Sequence, residues 1–145
     1  MSDRKPRPRR GDFVRCYEIT TRWGDHDSYG HVQNVVYYSF FDSAISQFLV
    51  ECGTLDIASS PVIGLIVASN CTYFASITFP DRVTVGLRIA HLGNSSARYE
   101  LGVFRNDEDE ACARGEVVYV YVERDSQRSA SIPEAIRGEL IELAN

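Results

Sequence analysis

Three features of the sequence predict an α+β domain in which antiparallel strands wrap one long helix. Residues 34–52 carry apolar side chains at helical spacing around all but a narrow polar stripe. Four β-rich segments follow, separated by short turn-forming stretches. The chain has 145 residues, enough for one core and not comfortably for two. Its 44 % hydrophobic and 24 % charged content is that of a globular chain, which excludes a disordered or fibrous protein.

The elements justify themselves in order. "FVRCYEITTRW" alternates well enough for a first strand, with Val14, Cys16 and either Tyr17 or Ile19 turned inward. Gly24, Gly30 and several Asp, Ser and Asn residues then break the pattern into a loop. The helix runs from about Asn34 to Cys52, with Val36, Tyr37, Phe40, Phe41, Ala44, Ile45, Phe48, Leu49 and Cys52 as its apolar face and Gly53 as a stop signal. Only Ser39, Ser43, Ser46 and Gln47 form a polar stripe, so burial over most of its circumference is expected. "VIGLIVASNCTYFASI", "RVTVGLRIAHL", "SARYELGVFR" and "ACARGEVVYVYVER" read as strands, with "FPD", "GNS" and "NDEDE" as the turns between them. "SIPEAIRGELIELAN" reads as a short final helix with Pro133 near its first turn, weakened by Gly138.

Charge is unevenly spread. "DRKPRPRR" carries five bases and one acid, whereas the body from Gly11 onward holds 19 acids and 10 bases, a net −9. Residues 1–11 are read as a disordered, solvated basic arm ahead of a single domain over 12–145, and removing residues 1–10 is expected to leave activity intact. The acidic body argues against nucleic acid as a partner. No segment is long and apolar enough for a membrane span, and the arm lacks the apolar region of a secretory signal. Cys16, Cys52, Cys71 and Cys112 are scattered with no C-x-x-C pair and read as buried free thiols, which places the protein in the cytoplasm. His26 and His91 are isolated, so no metal site is expected, and no cofactor is called for.

One stretch carries chemistry. "WGDHDSYGHVQNVVYYSFFD" resembles the pattern D-x-D, two spacers, G-H-V-N-N and an aromatic helix ending in an acid, found in hotdog-fold thioesterases of the 4-hydroxybenzoyl-CoA thioesterase-like family. "ITFPDRVTV" and "LGNSSARYELGVF" are similar to further passages of that family, and the likeness spans roughly Tyr17 to Arg124. The resemblance implies a hotdog fold, a curved antiparallel sheet around the central helix, and hydrolysis of an acyl-coenzyme A or acyl-carrier thioester. It also implies an active site shared between two chains, hence a homodimer or a homotetramer built as a dimer of dimers; pairing of open sheet edges gives that expectation a physical basis.

Asp27 matches the family's catalytic carboxylate, as nucleophile or as general base. The backbone N–H groups at the helix start, Asn34 and Val35, would polarise the thioester carbonyl as an oxyanion site. A thiolate leaves readily, so no strong general acid is needed. Asp25 is assigned a structural role and His31 an orienting one. Gly30 is read as supplying a positive φ or a close approach, if not a plain turn. Tyr37 and Asp42 are core supports, Asp42 as a buried or partly buried acid, and Tyr37 would alternatively flank the acyl group. Gly64 and Leu65 are expected to line an acyl pocket across the dimer interface, for an aromatic or medium aliphatic group.

The match departs from the pattern in two places. Gln33 stands where the family has the first asparagine of its pair. The turn "LGNSSAR" lacks the several bases that some relatives use for coenzyme A phosphates, leaving Ser95, Ser96 and Arg98, or more remotely Arg82 and Arg88. The alternative functions are a hotdog-fold hydratase or dehydratase using Asp27 with His31, and a non-catalytic acyl-thioester binding protein. The motif spacing fits the thioesterase better, and a pure binder gains little from Asp27.

Overall fold

The computed structural model describes residues 6–53 and 59–144. A five-stranded antiparallel sheet, formed by β1 (Arg15–Thr20), β2 (Val62–Tyr73), β3 (Arg82–Leu92), β4 (Ser96–Arg105) and β5 (Ala113–Glu123), has the order β1-β3-β4-β5-β2. Helix α1 (Asn34–Glu51) packs into its concave face, and α2 (Glu134–Ala144) packs beside β3. Bulges between Ile66 and Ala68 in β2 and between Ile89 and His91 in β3 bend the sheet around the helix.

Every second strand residue faces α1. Val83, Val85, Leu87 and Ile89 on β3, Ala97, Tyr99, Leu101 and Val103 on β4, and Val117, Tyr119 and Tyr121 on β5 share one core with Tyr37, Phe40, Phe41, Ala44, Ile45, Phe48 and Leu49. Burying each large side chain contributes about 2 kcal/mol. Phe41 comes so near the sheet that β5 carries glycine beneath it: a Cβ on Gly115 would lie 2.3 Å from the Phe41 ring. The helix ends where expected, with Gly53 at φ +69° after the cap residue Cys52. α2 adds Ile136, Leu140 and Leu143 to the core, and Arg137 donates to the Gly93 carbonyl at 2.7 Å.

Several expectations are corrected. Val14 and Cys16 face outward while Tyr17 and Ile19 turn in, because alternation permits only one parity and the bulkier pair reaches the core. The thiols are free, yet Cys16 is exposed, Cys52 and Cys71 are half-buried, and Cys112 alone is buried. Asp42 is exposed rather than buried, because it lies with Val35, Tyr38, Ser39 and Ser43 on the side of α1 turned away from the sheet. For the same reason α1 is covered on one side only in a single chain, with Val35 62 % exposed.

The described part of the basic arm, from residue 6, is not merely solvated. Phe13 lies on the outer sheet face over Gly86 and Gly102, where a Cβ on either would meet its ring within 2.7 Å. Arg10 N–H donates to the Asp109 carbonyl, Ala111 N–H donates to the Pro8 carbonyl, and the Arg9 guanidinium pairs with Asp109 at 2.8 Å. The arm's bases thus meet the acidic "NDEDE" loop, a charge complementarity between segments a hundred residues apart. Residues 1–5 of the arm lie outside the described residues.

Candidate active site

The loop between β1 and α1 is held by a buried carboxylate. Asp25 is 2 % exposed, accepts the Arg22 backbone N–H at 2.8 Å and pairs with the Arg22 guanidinium at 3.1 Å. Its carbonyl accepts the Gln33 N–H at 2.8 Å, which sets the start of α1. Asp25 is therefore a brace. The Gln33 side chain donates to the His26 carbonyl at 3.0 Å, so the longer amide in place of asparagine ties the loop across itself. His26 accepts the Phe79 N–H on Nε2 at 2.7 Å, and Val32 N–H donates to the Ile77 carbonyl at 2.8 Å, which moors the loop to the segment after β2.

This scaffold presents Asp27. Its Oδ1 accepts the Tyr29 N–H at 2.8 Å and the His31 N–H at 3.2 Å, and those two donors, His31 first, hold its pKa below the usual carboxylate range. Oδ2 has no hydrogen-bond partner among the described residues. The turn closes through Gly30 N–H to the Asp27 carbonyl at 3.2 Å, with Gly30 at φ +77°. A Cβ added at Gly30 would meet nothing within 4 Å, so it is the left-handed φ and not close packing that favours glycine there.

An open cavity of about 420 Å³ is lined by Asp27, His31, Val32, Asn34, Tyr37, Tyr73, Phe74, Ala75 and Ser76. At its edge α1 begins without a side-chain cap, and the N–H groups of Asn34 and Val35 have no acceptor among the described residues. Tyr37 is buried against Tyr73 with ring centroids 5.0 Å apart, and burial pushes both phenols well up. The Tyr73 hydroxyl donates to the Asn34 carbonyl at 3.3 Å. Burial likewise lifts the Cys71 thiol to about 11, so that thiol, like the two phenols, is held in its neutral form. Among the described residues no group of three or more His, Cys, Asp or Glu is placed to hold a metal ion.

Four of the sequence-derived residues, Asp27, His31, Asn34 and Tyr37, therefore meet at one cavity. Others do not. Gly64 pairs with Tyr121 and Leu65 with Val120, Ser96 also pairs with Val120, and Arg98 pairs with Val118, whereas Tyr73 at the cavity pairs with Ala113. Val120 and Ala113 are about 23 Å apart along β5 at roughly 3.3 Å per residue. The Ser95 and Ser96 carbonyls are used to close the turn, accepting from Tyr121 and Gly93. Tyr73 was missed by the sequence reading, because nothing local ties its β-rich segment to the loop before α1. Phe74 to Ser76 carry no local signal, because only the return of β2 to the loop brings them there.

A curved antiparallel sheet wrapped on one long helix is the hotdog class of α+β domain. The thioesterase-like superfamily model matches residues 21–140, so the chain belongs to that family and to the thioester hydrolases. The crystal structure of the PA5185 protein from Pseudomonas aeruginosa strain PAO1 is 51 % identical and superposes with a TM-score of 0.93, covering 97 % of this chain and 98 % of that one. The PA2801 protein of the same species is 30 % identical, with a TM-score of 0.80 over 87 % of this chain and 97 % of its own. The BH1999 gentisyl-coenzyme A thioesterase is 25 % identical, with a TM-score of 0.76 over 87 % and 99 %. No helix among the described residues is long and apolar enough to cross a membrane.

Proposed function

We propose that the protein hydrolyses an acyl-coenzyme A or acyl-carrier thioester to the free acid and thiol, with Asp27 as the catalytic residue. The carrying observation is one cavity that joins an ionised carboxylate, its Oδ2 without a partner among the described residues, to the uncapped start of α1. A thioester carbonyl oxygen held near the Asn34 and Val35 N–H groups would be polarised by two donors and the positive helix end. Asp27 then attacks the carbonyl carbon, giving an anhydride that water opens, or takes a proton from the water that attacks. In both routes the C–S bond breaks and the thiolate leaves. An acyl adduct on Asp27 in rapid-quench mass spectrometry identifies the first route. His31 contributes its backbone N–H rather than its ring to Asp27, which favours hydrolysis over an Asp–His dehydratase.

Release of free thiol from short, medium, long and aromatic acyl-coenzyme A thioesters tests the reading and sorts the acyl group. Turnover is expected with an aromatic or medium aliphatic acyl chain; the gentisyl-coenzyme A relative makes the aromatic arm the first to run. No turnover across the panel and none with acyl-carrier substrates would refute it.

The same reading includes a dimer. β2 is an edge strand whose Ile66, Val67, Ser69 and Asn70 are exposed, and Val35 and Tyr38 on the uncovered side of α1 are exposed as well. Unpaired apolar edges are sites of strand addition. Antiparallel pairing of two β2 strands would bring the Gly64–Leu65 end of one chain toward the Tyr73 end of the other, so the partner would supply the acyl lining. Val67→Lys, at a position 58 % exposed, is expected to give monomers in sedimentation equilibrium and to lose most activity. A Val67→Lys dimer, or a fully active monomer, would contradict this.

A further inference from the structure

Two cations converge on one aromatic ring, and neither is paired with a carboxylate among the described residues. The Arg7 and Arg114 guanidinium carbons each lie 5.6 Å from the centroid of the Phe74 ring. Arg7 Nε donates to the Ala111 carbonyl at 2.7 Å and Arg114 Nη1 to the Pro6 carbonyl at 3.1 Å. Two like charges around one ring repel each other, and neutral carbonyls do not compensate them as an anion would. Other arginines of this region are spoken for: Arg9 pairs with Asp109, Arg88 with Glu100 and Arg105 with Glu108.

Their location ties them to the candidate active site. Phe74 lines the cavity that holds Asp27, and Arg114 also lines a second depression of about 240 Å³ on the outer face, shared with Pro6, Pro8, Asp12, Arg88 and Glu100. The arm is fixed there by Phe13 over its paired glycines and by its contacts with residues 106–111, so Arg7 is positioned by the fold.

We propose that Arg7 and Arg114 bind the phosphate end of the pantetheine-bearing thiol carrier, whose thioester lies at Asp27. This rests on the thioesterase reading and gives the phosphate a site away from the Ser95–Arg98 turn. Planar guanidinium groups suit phosphate oxygens, and stacking on Phe74 leaves their edges open to donate. The phosphate next to pantetheine is common to coenzyme A and to carrier-protein phosphopantetheine. The arm is then part of the substrate site, contrary to the expectation that it is dispensable.

The test is calorimetric binding of coenzyme A, 4′-phosphopantetheine and pantetheine to the wild type, Arg7→Gln, Arg114→Gln and Arg114→Lys. Gln keeps a donor for the neighbouring carbonyl and removes the charge. Each Gln variant is expected to raise the Kd for coenzyme A about tenfold, the loss of one charge-assisted hydrogen bond. Pantetheine binding should stay unchanged, and Arg114→Lys should recover part of the loss. The same loss with 4′-phosphopantetheine locates the contact at the phosphate that both carriers share; a loss confined to coenzyme A locates it at the nucleotide phosphates. In turnover the change should fall on KM rather than kcat. Equal losses for coenzyme A and pantetheine would reveal a packing role and overturn the proposal, as would no loss, or a phosphate-dependent loss in Arg98→Gln alone. Binding is read without hydrolysis, so an inactive protein that still loses phosphate affinity in these variants refutes the thioesterase reading and not the site.

Discussion

Asp27→Asn is expected to lower kcat by about three orders of magnitude, the range by which a positioned acid, base or nucleophile accelerates such a step. The fold should survive. The asparagine carbonyl can accept the Tyr29 and His31 N–H groups that Asp27 Oδ1 accepts, so circular dichroism and the thermal midpoint should match the wild type while thiol release collapses. An Asn variant with wild-type turnover would remove Asp27 from the mechanism. The pH dependence has a definite sign. The two backbone donors favour the carboxylate, so the folded pKa lies below the unfolded one. Activity that needs the charged form should persist as pH falls through the ordinary carboxylate range, with the acid limb of kcat/KM appearing only beneath it. The linked stability follows the same direction: it is fully present above the unfolded pKa and is lost as pH drops through the folded one. In Asp27→Asn that contribution to the pH dependence of unfolding should vanish.

Gly115→Ala is expected to be the most damaging small substitution on stability. Its Cβ would stand 2.3 to 2.8 Å from three atoms of the Phe41 ring, which is 1 % exposed and has no room to withdraw. Overpacking of this severity costs about 3 kcal/mol. For a chain of this size that lowers the thermal midpoint by about 10 °C. Differential scanning calorimetry checks it, and a midpoint within about 2 °C of wild type would mean that α1 can slide on the sheet without cost. Gly115→Ala with Phe41→Leu should recover part of the loss, because the shorter side chain vacates the ring's position.

The helix was the most legible element. Nine apolar positions at helical spacing and a terminal glycine predicted it, and seven of those positions, from Tyr37 to Leu49, are buried along Asn34–Glu51. The strands were nearly as clear, since "RVTVGLRIAHL" and "SARYELGVFR" coincide with β3 and β4. Parity in β1 was not legible, because Val14, Cys16, Tyr17 and Ile19 are all apolar and either face satisfies the local pattern. Asp42 was misplaced for a related reason: helical spacing says which residues share a side, not whether the sheet covers it.

At the site, the loop residues could be read because their partners are close in sequence. Asp25 with Arg22, and Asp27 with Tyr29 and His31, are contacts within four residues, set by turn geometry that Asp and Gly impose locally. Asp27, His31, Asn34 and Tyr37 reach one cavity because a single loop runs directly into a single helix. Tyr73, Phe74 and the two arginines could not be read, since each arrives from a remote segment through strand pairing or through the arm crossing the outer sheet face. What the sequence by itself determined is the class of fold, the helix and the carboxylate loop, through periodicity and short-range hydrogen bonding. Only the tertiary structure decided that the basic arm docks on the acidic loop, that Gly86, Gly102 and Gly115 exist to admit aromatic rings, and that Arg7 and Arg114 meet at Phe74. Those outcomes depend on close approach between distant segments, and distance in space leaves no periodic trace along the chain.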